Sequence, residues 1–265
     1  MNFFIQMKES VIDTKFYRQI KDNSFGRSFV YLLILGLIAY CMYATIMFLG
    51  MQGMIDDLAS QLSSNIPDFK LANGEFTFAG KSPFIINGGN DEVFIIDTTG
   101  KTNEAALQSA TIGILITKDS VYAKQKADIR RLELRETKGI TLTKADVAAF
   151  LPRLKTILLI VMAFGFLAAL GWKLLNALLL AIIGLMINES IKTDLKFSNI
   201  FNFSIYALTL PILLELAVFL SGFRFPLFFV IYWFISIAYV IMAIKGYKDE
   251  SDSNKRQENQ DMFMV

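Results

Sequence analysis

The segment FIIDTTGKT, Phe94 to Thr102, holds the residue types with the most obvious chemistry. Gly100-Lys101-Thr102 has the ending of a phosphate-binding loop, where backbone amides and a lysine hold phosphate oxygens. Such a loop needs an earlier glycine, and Ile95 stands at that position, so the spacing excludes it. A strand ending in Asp97-Thr98-Thr99-Gly100 also has the form of a phosphoaspartate site, but no second acid accompanies it. The segment reads as a strand followed by a turn. The acidic neighbours Asp56/Asp57 and Asp91/Glu92 could form a glycosidase pair. They fall in turn or helix-start contexts with no tryptophan nearby, and read as solvated charge.

Composition narrows the chemistry further. Histidine is absent and Cys41 is the single cysteine. That excludes Ser-His-Asp and Cys-His catalysis, most zinc sites and any internal disulfide. Cys41 falls in an apolar run and reads as a small apolar side chain. The net charge of +2 and the lack of an Arg/Lys stripe argue against nucleic acid. No catalytic residue, metal ligand or cofactor is assigned.

The elements that must carry any site are mostly membrane spans. The chain is 54% hydrophobic, with the excess gathered in long uncharged runs. Residues 1–28 open with Phe3, Phe4, Met7, Val11 and Tyr17 near helical spacing between basic residues, which predicts an amphipathic helix on the cytoplasmic membrane surface. Span one covers 29–50. Five basic residues against three acids precede it, placing the N-terminus in the cytoplasm.

Residues 51–155 change character: charges balance and apolar runs shorten. Asn73-Gly74 between two alternating segments signals a hairpin. Further short strands follow at PFIINGG, EVFIID, TIGILIT, SVYAKQ, IRRLELRE and after Gly139, with a short helix over 103–109. Thr143 is placed as the cap of a helix running into Pro152. The expectation is one extracytoplasmic α+β domain.

Residues 156–187 allow two readings. One helix of that length is roughly 48 Å long, against a hydrocarbon core of about 30 Å; two crossings would be short. Basic residues in the 188–200 loop and the 245–265 tail both fit the cytoplasm if the region crosses once. One long helix containing the second span is therefore preferred. Spans three and four are 201–221 and 225–244, and the charged tail is expected to be disordered.

Two charges fall inside these spans, Lys173 and Glu215, and intramembrane charges are costly unless paired. Lys173 lies fourteen residues from Ile187 and Glu215 fourteen from Phe201. At 1.5 Å per residue both sit about 21 Å from the inner edge. Equal depth on consecutive antiparallel helices predicts a structural inter-helix ion pair.

The stretch NESIKTDLKFSNIFNFSIYALTLPILLE, with IPDFKLANGEF and VFIIDTTG, resembles an uncharacterised family of membrane proteins from Gram-positive bacteria. Some members are labelled maltodextrin-utilization protein. The residues that carry this are Phe197, Ser198, Tyr206, Ala207, Leu208, Thr209 and Pro211, and the same segment is more weakly similar to the Yip1-type membrane fold. The label implies an association with a carbohydrate transporter and no catalytic residues.

The chain thus reads as a membrane all-α bundle of four transmembrane helices, the second long, with one inserted extracytoplasmic α+β domain. The expected role is a non-enzymatic plasma-membrane protein that senses or scaffolds. Its expected partners are membrane lipids and another membrane or cell-envelope protein. Alternatives are an accessory component of maltodextrin uptake, or a transporter.

Overall fold

The computed structural model describes residues 1–87, 91–223 and 225–263. Gly88 and Gly89, read as turn residues after a strand, and Arg224 in the loop before the last span lie outside the described residues. The chain divides into two compact units, residues 1–48 with 160–265, and residues 49–159.

The first unit is helical. The N-terminal segment is not one surface helix. It forms α1 (Phe3–Ile12) and α2 (Phe16–Ile20), because Asp13 leaves the helical region and its carboxylate accepts from the Lys15 amide. The break re-aims Phe16, Tyr17 and Ile20, which are buried in the bundle core. Then come α3 (Phe25–Ser64), α4 (Lys144–Ile191), α5 (Phe197–Ala207), α6 (Thr209–Leu220) and α7 (Phe228–Phe263). Residues 156–187 lie within α4, which runs unbroken through Pro152 and does not turn back.

The tail also departs from expectation. It continues α7 to Phe263 as helix, since extending an existing helix adds one hydrogen bond per residue with no nucleation cost. Polar contacts hold its first turns: Arg18 with Glu250 at 2.8 Å, Tyr247 with Asp194, and Lys248 with the Ile191 carbonyl.

Helix α5 is the centre of this unit. Ile200, Phe203, Ile205, Tyr206 and Ala207 are all essentially inaccessible. Helix α4 approaches it through Ala177, Ala181 and Gly184, small residues on one face at helical spacing. A Cβ on Gly184 would stand 2.5 Å from the Ile200 side chain and 3.1 Å from Val240. Small residues at such seams let apolar helices pack closely where lipid removes most of the hydrophobic drive. The outward faces are apolar too, with Val161, Phe164, Phe229 and Phe234 each more than half exposed. Among the described residues four helical segments, 25–64, 144–191, 197–220 and 228–253, are long and apolar enough to cross a bilayer. The protein is a membrane protein.

The second unit contains two sheets. A three-stranded sheet has the order β2-β1-β8, from β1 (Phe69–Ala72), β2 (Glu75–Phe78) and β8 (Thr141–Thr143). Asn73 and Gly74 both have positive φ, as a two-residue hairpin turn requires, and a Cβ on Gly74 would meet the Arg135 backbone at 2.8 Å. The five-stranded sheet runs in sequence order through β3 (Phe84–Asn87), β4 (Glu92–Asp97), β5 (Ile112–Thr117), β6 (Ser120–Gln125) and β7 (Asp128–Glu133). Among the described residues only β4 and β5 pair in parallel, and a crossover containing a 3₁₀ turn, Glu104–Leu107, joins them. Leu107 from that crossover is fully buried against Ile95 and Leu115. Phe76, Ile96 and Leu134 form a separate core. Thr143 and Asp146 make a reciprocal capping box at the start of α4.

Candidate functional site

Lys173 on α4 and Glu215 on α6 meet at 2.6 Å, Nζ to Oε2. Lys173 lies 18 residues before the end of α4 at Ile191, and Glu215 lies 18 residues after the start of α5 at Phe197, so the two antiparallel segments bring them level. The ammonium also stands 4.8 Å from the ring centroid of Tyr232 on α7. Three helices therefore converge on one charge, and a cation over an aromatic face gains further in a low dielectric. Asn176, one turn along α4 from Lys173, is buried. The Tyr232 hydroxyl is buried with no hydrogen-bond partner among the described residues.

The pair separates two cavities. One, of about 310 Å³, is lined by Gly36, Tyr40, Tyr43, Phe166, Lys173 and Glu215, among others. The other, of about 350 Å³, is walled by Trp172, Asn176, Phe228, Tyr232 and Trp233 around the same two charges. Both cavities are in the size range of small-ligand sites, apolar with a few polar groups at one wall. Chemically the site holds a paired charge and presents the second oxygen of Glu215, which has no partner among the described residues. Neither Tyr232 nor Tyr43 was evident from sequence. The available signal was the aromatic stripe Phe228, Phe229, Tyr232 and Trp233 at the start of the last span.

The residues that carry the family resemblance do not line this site. Tyr206, Ala207, Leu208, Thr209 and Pro211 form the junction between α5 and α6. Pro211 has no amide hydrogen to offer the Ala207 carbonyl, and the helix breaks at Leu208. At the break Thr209 donates its hydroxyl to the Tyr206 carbonyl at 2.7 Å. Its oxygen also meets the Tyr31 hydroxyl at 2.8 Å, and the Tyr31 ring stacks on Tyr206 at 4.2 Å. The Tyr206 hydroxyl donates to Gln6 on α1. Ala207 and Leu208 are buried, whereas Phe197 and Ser198 are exposed at the start of α5. Deeper in α5, Asn202 accepts from Ser28 and donates to the Lys21 and Asn23 carbonyls. The motif is thus a broken helix held by a buried polar network.

In the second unit Asp97 is fully buried and organises the turn after β4. One oxygen accepts from the Thr99 amide, the Thr99 hydroxyl and Ser82, and the other from the Thr102 amide. Burial alone would push its carboxyl up, but these threonine hydrogen bonds outweigh it and hold the group well below the usual carboxylate range. A carboxylate so occupied is a turn organiser. Lys101 and Gly100 are exposed on the turn it shapes. Asp56 is paired with Lys155 at 2.6 Å.

No curated protein and no solved structure matches the chain. A family model described as a protein of unknown function matches residues 4–244, which takes in both units, the broken helix and the charged pair. The chain therefore belongs to the DUF1189 family of proteins of unknown function.

Proposed function

We propose that this is a non-enzymatic membrane protein of the bacterial plasma membrane whose 49–159 unit is an extracytoplasmic sensing or partner-binding domain, with the helical unit as scaffold and both termini cytoplasmic. The observation that carries this reading is the insertion of a folded two-sheet unit into a helical bundle, with α3 and α4 as the only chain connections between the two. The distribution of basic residues supports the orientation: they precede the first span and fill the 192–196 loop and the tail. A binding role is supported by one face of the five-stranded sheet. Ile112, Ile114 and Leu132 share that face by register and are exposed, at 44%, 38% and 51%. The resemblance to proteins labelled for maltodextrin utilization makes a carbohydrate-uptake component the first partner to test.

The test uses intact cells and a Cys41→Ser background. A cysteine at Lys101 should react with an impermeant maleimide from outside. Cysteines at Ser198 and Ser253 should react only after permeabilisation. A photo-crosslinking residue at Ile112 should capture a discrete envelope protein, identified by mass spectrometry. Outside labelling at Ser198, or protection of Lys101, would overturn the orientation. Absence of any crosslinked partner would overturn the binding role.

A further inference from the structure

The larger cavity beside the charged pair has features that identify its occupant. Its depth is the first. Glu215 stands five residues before the end of α6 at Leu220, and Tyr232 four residues after the start of α7 at Phe228. Those offsets are about 8 Å and 6 Å along the helix axes. The charges therefore lie just beneath the level where these helices end. The second feature is its aromatic wall. Trp172 and Trp233 are the only tryptophans in the chain, and both line this cavity. Indole rings concentrate at the membrane interface. Trp172 is 59% exposed and Phe229 69%, so the cleft opens outward from the bundle into the lipid.

Charge is the third feature. The site presents one cation and one anion, 2.6 Å apart, with spare capacity on each. Lys173 uses one of its three donors on Glu215, and Glu215 Oε1 has no partner among the described residues. An anionic headgroup would satisfy Lys173 and repel Glu215. A simple cation would do the reverse. A headgroup carrying both charges satisfies both. The carboxylate oxygen further favours an ammonium with N–H bonds to donate, because a quaternary ammonium offers charge alone.

We propose that the Trp172–Tyr232–Trp233 cleft binds the headgroup of a zwitterionic phospholipid bearing a primary ammonium, its phosphate on Lys173 and its ammonium on Glu215. The acyl chains lie along Trp172 and Phe229. The binding is independent of what the 49–159 unit recognises.

The two tryptophans make the test direct. The full-length protein is reconstituted in phosphatidylcholine vesicles, and its fluorescence is quenched by graded fractions of lipid with brominated acyl chains. Brominated phosphatidylethanolamine should bind beside the tryptophans about tenfold more tightly than brominated phosphatidylcholine or phosphatidylglycerol, as a charge-assisted hydrogen bond implies. In the Lys173→Met, Glu215→Gln double variant, which strands neither charge, the three lipids should quench alike. Soluble glycerophosphoethanolamine should not displace the lipid. Equal quenching by all three lipids in the natural sequence would overturn the proposal, as would a preference for phosphatidylglycerol. Displacement by the soluble headgroup would overturn the lipid as its source.

Discussion

Lys173 on α4 and Glu215 on α6 form an ion pair at 2.6 Å with the Tyr232 ring beneath the ammonium. The Lys173 side chain keeps 17% exposure and that of Glu215 38%, and both side chains line the two cavities. Removing one partner should cost more than removing both. Lys173→Met is expected to lose about 1–3 kcal/mol, read as a lower unfolding temperature in detergent. The double variant Lys173→Met, Glu215→Gln should recover at least half of that. Additive losses would show that the two side chains are not coupled.

Thr209 joins the broken helix to α3. Thr209→Val leaves the Tyr31 hydroxyl without its 2.8 Å partner and the Tyr206 carbonyl without its hydroxyl donor. The expected loss is about 1–3 kcal/mol. Thr209→Ser keeps the hydroxyl and removes only a buried methyl group, and should lose less than Thr209→Val, about 0.5–1 kcal/mol. Thermal unfolding of the two variants side by side separates the hydroxyl from the shape of the side chain.

Gly184 marks a close seam between α4 and its neighbours. A methyl group there would press on Ile200 and Val240. Gly184→Ala should therefore destabilise the helical unit by about 1–3 kcal/mol, although alanine is the better helix former. The same change at Gly171, where a Cβ meets nothing within 4 Å, should be neutral or stabilising. Unfolding temperatures in detergent decide it.

Asp97 gives the 49–159 unit a defined acid sensitivity. Its folded carboxyl titrates below the ordinary range and its unfolded one within it. The stability it contributes is thus complete above the ordinary carboxylate range and is lost as the pH falls through that range toward the folded value. Hydrogen exchange of peptides spanning 92–102 should quicken on acidification, after correction for intrinsic rates. Asp97→Asn should exchange faster at neutral pH and lose most of this acid dependence.

Much of the architecture is legible in local pattern. Uncharged runs mark where four helices can cross. The positive φ values at Asn73 and Gly74 follow from the residue types a tight hairpin needs. Thr143 signals a helix start, and the structure caps α4 there. Lys173 and Glu215 stand out as charges at matched offsets along apolar runs. These are properties of neighbouring residues and of helical rise, so the sequence by itself determines them.

The tertiary structure decided what depends on residues far apart in the chain. Tyr17 reads as part of one helix on the membrane surface, yet it and Phe16 are buried because α2 turns them onto α5 and α7. Residues 201–221 read as one span, whereas the helix breaks at Leu208 ahead of Pro211, and only packing supplied Tyr31 as the partner of Thr209, 178 residues away. The parallel pairing of β4 with β5 needed a crossover whose route no local period encodes. Tyr232 entered the charged site for the same reason. Residue spacing specifies faces and depths, whereas which faces meet is set by close packing of whole helices and sheets.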